Sequence, residues 1–311
     1  VYEFVLPVKP ELPQLKGLSI LALILFVFSC RTLPEMSHSN IADSLPPESN
    51  IIMKIAISEN EALLEALILR FGFEPEIFSN ISKHIEHLAI GLEIDLQTRR
   101  KQGILLPFHI AAIGNWPRAF LGGALGDEWV KSGRNRWLNS AGLEIIAISN
   151  KELLISSGKL DSMLFRTRIA AKNTRIRTVG LSSDNSDLAF WLLDTDIIHK
   201  ILPVVPLMNH DGTAIVDLVG IVLNKMDNSS YSIEMIVPLA DPKFAEPLAL
   251  AIRIGFASQI GRKLDFINYE FLSGLSIEAR ESGVILKHNS IPTYVLENFL
   301  NYDFGLGNDR S

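Results

Sequence analysis

The chain has 311 residues, 48% of them hydrophobic, and a formal charge of −6, with a pI near 5.7 and a mean hydropathy of +0.23. That charge balance argues against a nucleic-acid partner. A single cysteine excludes an internal disulfide, so stability has to come from packing, for which the apolar content suffices.

Residues 1–29 read as a signal peptide. Lys9 and Lys16 precede an uncharged apolar run from Gly17 to Ser29 that ends at Cys30, the order of a secretory leader. As a helix the run reaches about 20 Å, short of the about 30 Å of a hydrocarbon core. Val27-Phe28-Ser29-Cys30 resembles a relaxed lipobox, in which the Cys30 thiol is acylated and cleavage makes it the new N-terminus. Ser29 fits that pattern, Val27 is acceptable and Phe28 departs from it. Each buried acyl methylene contributes about 0.8 kcal/mol to anchoring. Residues 30–50 are then expected to be a lipidated cysteine and a disordered tether, since Arg31 to Asn50 is rich in Pro, Ser and Asn and buries too little to offset its ordering entropy.

Ile51 to Ser58 alternates as a strand, and Asn60 to Phe71 has helical spacing with Gly72 as a stop signal. Leu88 to Leu96 and Phe108 to Gly114 read as half-buried strands joined by a polar turn at Arg99 to Gly103. Trp116 to Lys131 reads as a helix opened by Asn115 and Pro117. Leu143 to Ile148 and Leu153 to Ser156 form a strand pair, followed by a short helix from Lys159 to Phe165. The order then recurs: a strand at Leu188 to Leu193, a helix from Thr195 capped by Asp194, and a hairpin of Ala214 to Asn224 with Tyr231 to Val237. A helix from Asp241-Pro242 to Gly261 follows, then a hairpin of Leu275 to Ala279 with Val284 to His288, and a closing helix from Ile291 to Leu300.

Corresponding points keep a near-constant offset, as in Ile51 and Leu188, Asn115 and Asp241, or Leu153 and Val284. The expected fold class is therefore α+β: two similar β-α-β-β-α-β-β-α halves with mainly antiparallel sheets, an internal duplication. Residues 51–168 form the first half, 169–186 a polar linker, 187–302 the second half and 303–311 a tail.

Sequence motifs for catalysis are missing. The chain has no Walker loop, dinucleotide fingerprint, G-x-S-x-G elbow or H-E-x-x-H, and its one thiol is committed to lipid. His84 and His87 have i, i+3 spacing without a third ligand; they read as a polar lead-in to the strand at Leu88. Asp194 and Asp196 read as a helix cap, and Asp184 to Asp187 lacks the glycine and distal glutamate of a calcium loop. No catalytic residue, metal or cofactor is expected.

The two central helices carry the functional expectation. Trp116 to Lys131 presents Trp116 and Phe120 on one stripe and Leu121, Leu125 and Trp129 on its neighbour. Lys243 to Gly261 presents Phe244, Leu248, Ile252 and Phe256, widened by Leu250 and Ile254. Helices this apolar are either buried in a core or meet lipid. The nine main-stripe residues are the candidate lipid-binding or membrane-inserting set, and a cavity for an apolar ligand beneath the helices is a further option.

A relaxed lipobox, a Pro/Ser tether and a body with uncommonly apolar amphipathic helices together resemble the treponemal concealed outer-membrane lipoproteins. That resemblance implies a lipid anchor on the periplasmic face of the outer membrane, lipid binding and bilayer perturbation through the two helices. The expected function is a non-enzymatic envelope lipoprotein of spirochaetal type that binds lipid. The alternative is a periplasmic scaffold or partner-binding lipoprotein whose apolar helices are core.

Overall fold

A computed structural model describes residues 41–57, 60, 85–94, 107–115, 129–140, 142–168, 186–201, 216–227, 229–259 and 269–295. Its frame is one twelve-stranded sheet in which every neighbouring pair is antiparallel. In chain order the strands are β1 (Ile51–Ala56), β2 (Ile85–Leu92), β3 (Phe108–Gly114), β4 (Trp129–Gly133), β5 (Arg136–Asn139), β6 (Glu144–Ala147), β7 (Glu152–Ser156), β8 (Leu188–Leu192), β9 (Val219–Asp227), β10 (Ser230–Pro238), β11 (Leu275–Arg280) and β12 (Gly283–Pro292). Across the sheet they run β11-β12-β10-β9-β8-β1-β2-β3-β7-β6-β5-β4.

Central strands such as β8 (LAFWL) are apolar almost without interruption, because the middle of the sheet is covered on both faces. On one face α2 (Thr195–Ile201), α3 (Ala245–Gln259) and α4 (Tyr269–Gly274) contribute Ile197, Ile198, Leu248, Ile252 and Phe271. On the other, α1 (Leu160–Arg168) supplies Leu160 and Met163. Burying side chains of this size stabilises by about 1.5–3 kcal/mol each.

This architecture overturns the expected pair of balanced α+β halves. β1 and β8 pair directly, Ile51 opposite Leu192 and Ile55 opposite Leu188, so the sheet is continuous where two separate sheets were expected. The arms are unequal, since the β4–β5 hairpin has no counterpart beyond β8. The described helices are short, the longest having 15 residues.

Two helix expectations also change. Trp129 to Lys131 belongs to strand β4, because Trp129 faces the core and pairs with Asn139; residues 116–128 lie outside the described residues. Ile291 and Pro292 complete β12, so the closing helix starts at Thr293, two residues later than expected, and residues 296–300 lie outside the described residues. The signal peptide, Cys30, the Arg99 to Gly103 turn, nearly all of the linker and of the Asn60 to Phe71 helix, and the tail also fall outside the described residues.

The segment before β1 is not a free tether throughout. Ile41–Ser44 forms a 3-10 turn, and Ile41, Ala42 and Leu45 are buried against the face carrying α1. Asn50 fixes the end of this strap: its side chain donates to Ile94 O (2.7 Å) and accepts from Ile94 N (2.8 Å). The strap passes closely because position 91 is glycine. A Cβ there would lie 2.5 Å from Ser49 Oγ and 3.4 Å from Leu45 Cδ1.

Gly91→Ala is accordingly expected to lower stability to urea by about 1–3 kcal/mol, and Ser49→Gly in the same chain should return much of the loss. Additive losses in the double variant would contradict the proposed contact.

Candidate functional site

A 3-10 turn, Pro242–Phe244, leads into α3: Asp241 caps it by accepting from Lys243 N (3.1 Å), and Pro242 stands at its start, where its missing backbone donor costs little. The inward stripe of α3, Leu248, Ala249 and Ile252, packs on β11 and β12 with Ile277, Val284 and Leu286. Its exposed side is mixed: Leu250 and Ile254, one turn apart, are 55% and 60% exposed, in a row that begins at the exposed Glu246 and ends at the exposed Ser258. Arg253 lies beside them, exposed, and donates to Ile277 O.

The face of the sheet that carries α3 also has a row of partly buried apolar residues. Ile221, Phe190, Met53 and Ile90 lie in register across β9, β8, β1 and β2 and are only half-buried, although these strands are the middle of the sheet. Phe256 lies against Phe271 (centroids 6.4 Å apart), and Phe271 stacks on His288 at 5.2 Å. Gly274 makes that stack possible, since a Cβ there would meet His288 Nε2.

The predicted site residues therefore divide. Leu248 and Ile252 are core, Phe256 is half-buried against Phe271, and Phe244 is half-buried with the Lys243 ammonium 4.8 Å from its ring centre. Trp129 is a buried strand residue, while Trp116, Phe120, Leu121, Leu125 and Cys30 lie outside the described residues. The outward positions are Leu250 and Ile254, which the sequence marks only as widening the apolar face.

One polar network lies on the opposite face. His109 Nδ1 is 2.8 Å from Ser156 Oγ and its Nε2 is 2.9 Å from Glu93 Oε1. Lys159 Nζ also reaches Glu93 Oε1 (2.7 Å). A serine, a histidine and a carboxylate in line have the makings of a nucleophile and base, but Ser156 Oγ also accepts from Lys159 N (2.7 Å). Ser156 and His109 are both sealed from solvent. Desolvation by burial, partly offset by the Glu93 hydrogen bond, holds the His109 imidazole below its ordinary pKa; burial does the same to His288. The network ties β3, β7, α1 and the segment after β2 together.

Elsewhere on that face burial raises the Glu152 carboxyl, and Oε2 of that group has no hydrogen-bond partner. Among the described residues no three His, Cys, Asp or Glu side chains converge as a metal site, and no described helix is long and apolar enough to cross a membrane.

No family model matches the chain, and no curated protein matches its sequence. Solved structures do match. Crystal form III of TP0453, a Treponema pallidum protein, aligns with a TM-score of 0.54 at 13% identity, covering 85% of this chain and 98% of its own. Crystal form I gives 0.54 at 13% identity over 86% and 98%, and form IV gives 0.52 at 11% over 84% and 96%. At such identity the likeness establishes a shared fold with a treponemal protein.

The buried histidines set a pH dependence. Between their lowered folded pKa and the ordinary value of 6.5 the unfolded chain binds more protons, so stability falls as pH falls through that window. Urea unfolding is expected to give a lower free energy at mildly acidic pH than at pH 8, and His109→Gln should flatten the slope while lowering stability at pH 8 by about 1–3 kcal/mol. A slope unchanged by His109→Gln would exclude this group as its source.

Proposed function

We propose that this chain is a non-enzymatic envelope lipoprotein that contacts lipid through Leu250 and Ile254 on α3 and the half-buried apolar row on the same face of the sheet. The observation that carries the reading is the exposure of Leu250 and Ile254 on a helix whose opposite stripe is locked into the core. A helix that needed only to cover the sheet would keep side chains this large and apolar off its exposed side. Exposed apolar side chains in register fit the boundary between headgroups and acyl chains, and the half-buried row Ile221, Phe190, Met53 and Ile90 offers an apolar floor for a ligand chain.

Three further points support it. The leader ending at Cys30 fits acylation, and the likeness to a treponemal fold fits an envelope of that kind, with the periplasmic face of the outer membrane as the favoured location. The Ser156–His109 pair is sealed from solvent, which fits a role without catalysis.

Residues 31–311, freed of leader and acyl group, are expected to float with phosphatidylcholine vesicles. Leu250→Glu with Ile254→Glu should abolish flotation without changing the melting temperature by more than about 2 °C. Absence of flotation in the unsubstituted body would remove the lipid role and leave the scaffold or partner-binding reading in its place.

A further inference from the structure

The free edge of the sheet at β4 carries a combination of side chains that the opposite edge lacks. Val130 is 70% exposed and its cross-strand partner Leu138 38%, and the run from Lys131 to Arg134 is exposed throughout. The β4–β5 turn and the β6–β7 turn lie at the same end of the sheet: Ala147 N donates to Asn135 O (3.0 Å) and Gly114 N donates to Lys151 O (2.9 Å). Two strand spacings separate the turns, about 10 Å.

Of the cations gathered here, Arg136 is held by Glu144 (2.6 Å) and Asp161 (2.7 Å). Lys131, Arg134 and Lys151 are exposed and make no ion pair among the described residues. At the other edge, on β11, Arg280 is paired with Glu278 (2.8 Å). A chain of net charge −6 thus places three cations that make no ion pair among the described residues at one end of one edge, near the exposed Val130 and Leu138.

We propose that the β4–β5 hairpin and the β6–β7 turn form a docking surface for an anionic lipid bilayer, separate from the outer stripe of α3. Lys131, next to Val130 in the strand, falls on the opposite face from Val130 and Leu138, and Arg134 and Lys151 stand in the two turns; with this edge toward a headgroup boundary, phosphates would meet the cations and the apolar pair would enter beside them. The asymmetry of charge would also orient the acidic body on approach, its basic corner leading.

The course of the strap agrees. It lies antiparallel to α1, with Glu48 beside Lys159 (3.4 Å) and Asp43 O accepting from Arg166 Nε (3.0 Å). Since α1 begins at the far end of the sheet, after β7, the Ile41 end of the strap comes from the side of these turns. Residues 31–40 span at most about 35 Å, so acylation at Cys30, on which this one point rests, would hold that end of the sheet near a bilayer.

The test uses residues 31–311, which contain every described element, in co-sedimentation with vesicles of phosphatidylcholine alone and with vesicles that also contain phosphatidylglycerol. The body is expected to bind the anionic vesicles more tightly, and high salt should erase the difference. Lys131→Gln with Arg134→Gln should weaken binding to the anionic vesicles by about 30-fold and leave both the melting temperature and binding to neutral vesicles as they were. Leu250→Glu with Ile254→Glu should instead act on the neutral vesicles, so failure of the helix reading is seen separately from failure of this one. Equal affinity of the unsubstituted body for the two vesicle types would overturn the proposal, as would anionic-vesicle binding that survives the double glutamine substitution. Loss of binding to soluble polyglutamate in that variant, with vesicle binding intact, would assign the surface to an acidic protein and equally overturn it.

Discussion

The pairing of β1 with β8 is the constraint on which the rest of the structure depends. Ile52 lies opposite Trp191, Met53 opposite Phe190 and Lys54 opposite Ala189, and both strands carry core side chains on their two faces. A slip of one residue would carry every one of these side chains to the wrong face. Trp191 and Ile52, both sealed from solvent, would then leave the α1 side, and Lys54 would be driven among the large apolar groups opposite. In its actual register Lys54 sits between Ala89 and Ala189, whose small side chains leave room for its stem. The strands on each side of the seam build outward by antiparallel additions until the sheet ends at β4 and β11.

The same seam sets up the apolar features of the face that carries α3. Met53 and Phe190, opposite one another, form the middle of its half-buried row. Helix α3 is held at the β11 and β12 end by Leu248, Ala249 and Ile252, which fixes the opposite stripe outward. On the other face the strap and α1 close over Ala89, Ala111 and Ala189, and the His109 network ties strand to helix beside them. One face is thus closed by the strap and α1, and on the other the row Ile221, Phe190, Met53 and Ile90 is half-buried.

Much of the sheet is legible in the sequence because its strands are short apolar runs with turn residues between them. The β9–β10, β11–β12 and β6–β7 hairpins follow from alternation and from polar turns such as Ser149 to Lys151, and Asp194 and Asp241 mark real helix starts. Which strands meet across the centre is not legible, since β1 and β8 lie far apart in sequence and the pairing of two apolar runs has no local signature. The β4–β5 hairpin is hidden for another reason: beyond Trp129 its first strand is exposed and lacks the alternation that marks a half-buried strand. The strap is masked by composition. Its prolines and serines read as tether, while the contacts that fold it come from a few side chains, Ile41, Ala42 and Leu45, and from a notch at Gly91. The candidate site is half-legible. An apolar helix at Lys243 to Gly261 can be read directly, but a helix apolar around most of its circumference does not reveal which stripe faces in; β11 and β12 decide that, and they select Leu248 and Ile252 over Leu250 and Ile254.

The central claim is that α3 keeps its inward stripe in the core while its outward stripe enters lipid. An environment-sensitive fluorophore on a cysteine placed at position 254 of residues 31–311, which contain no other thiol, reports on this directly when phosphatidylcholine vesicles are added. The account predicts a blue-shifted emission that a quencher confined to the acyl region extinguishes, with a label at the exposed position 278 of β11 staying accessible to an aqueous quencher. An unshifted spectrum at position 254, still open to the aqueous quencher in the presence of vesicles, would contradict it.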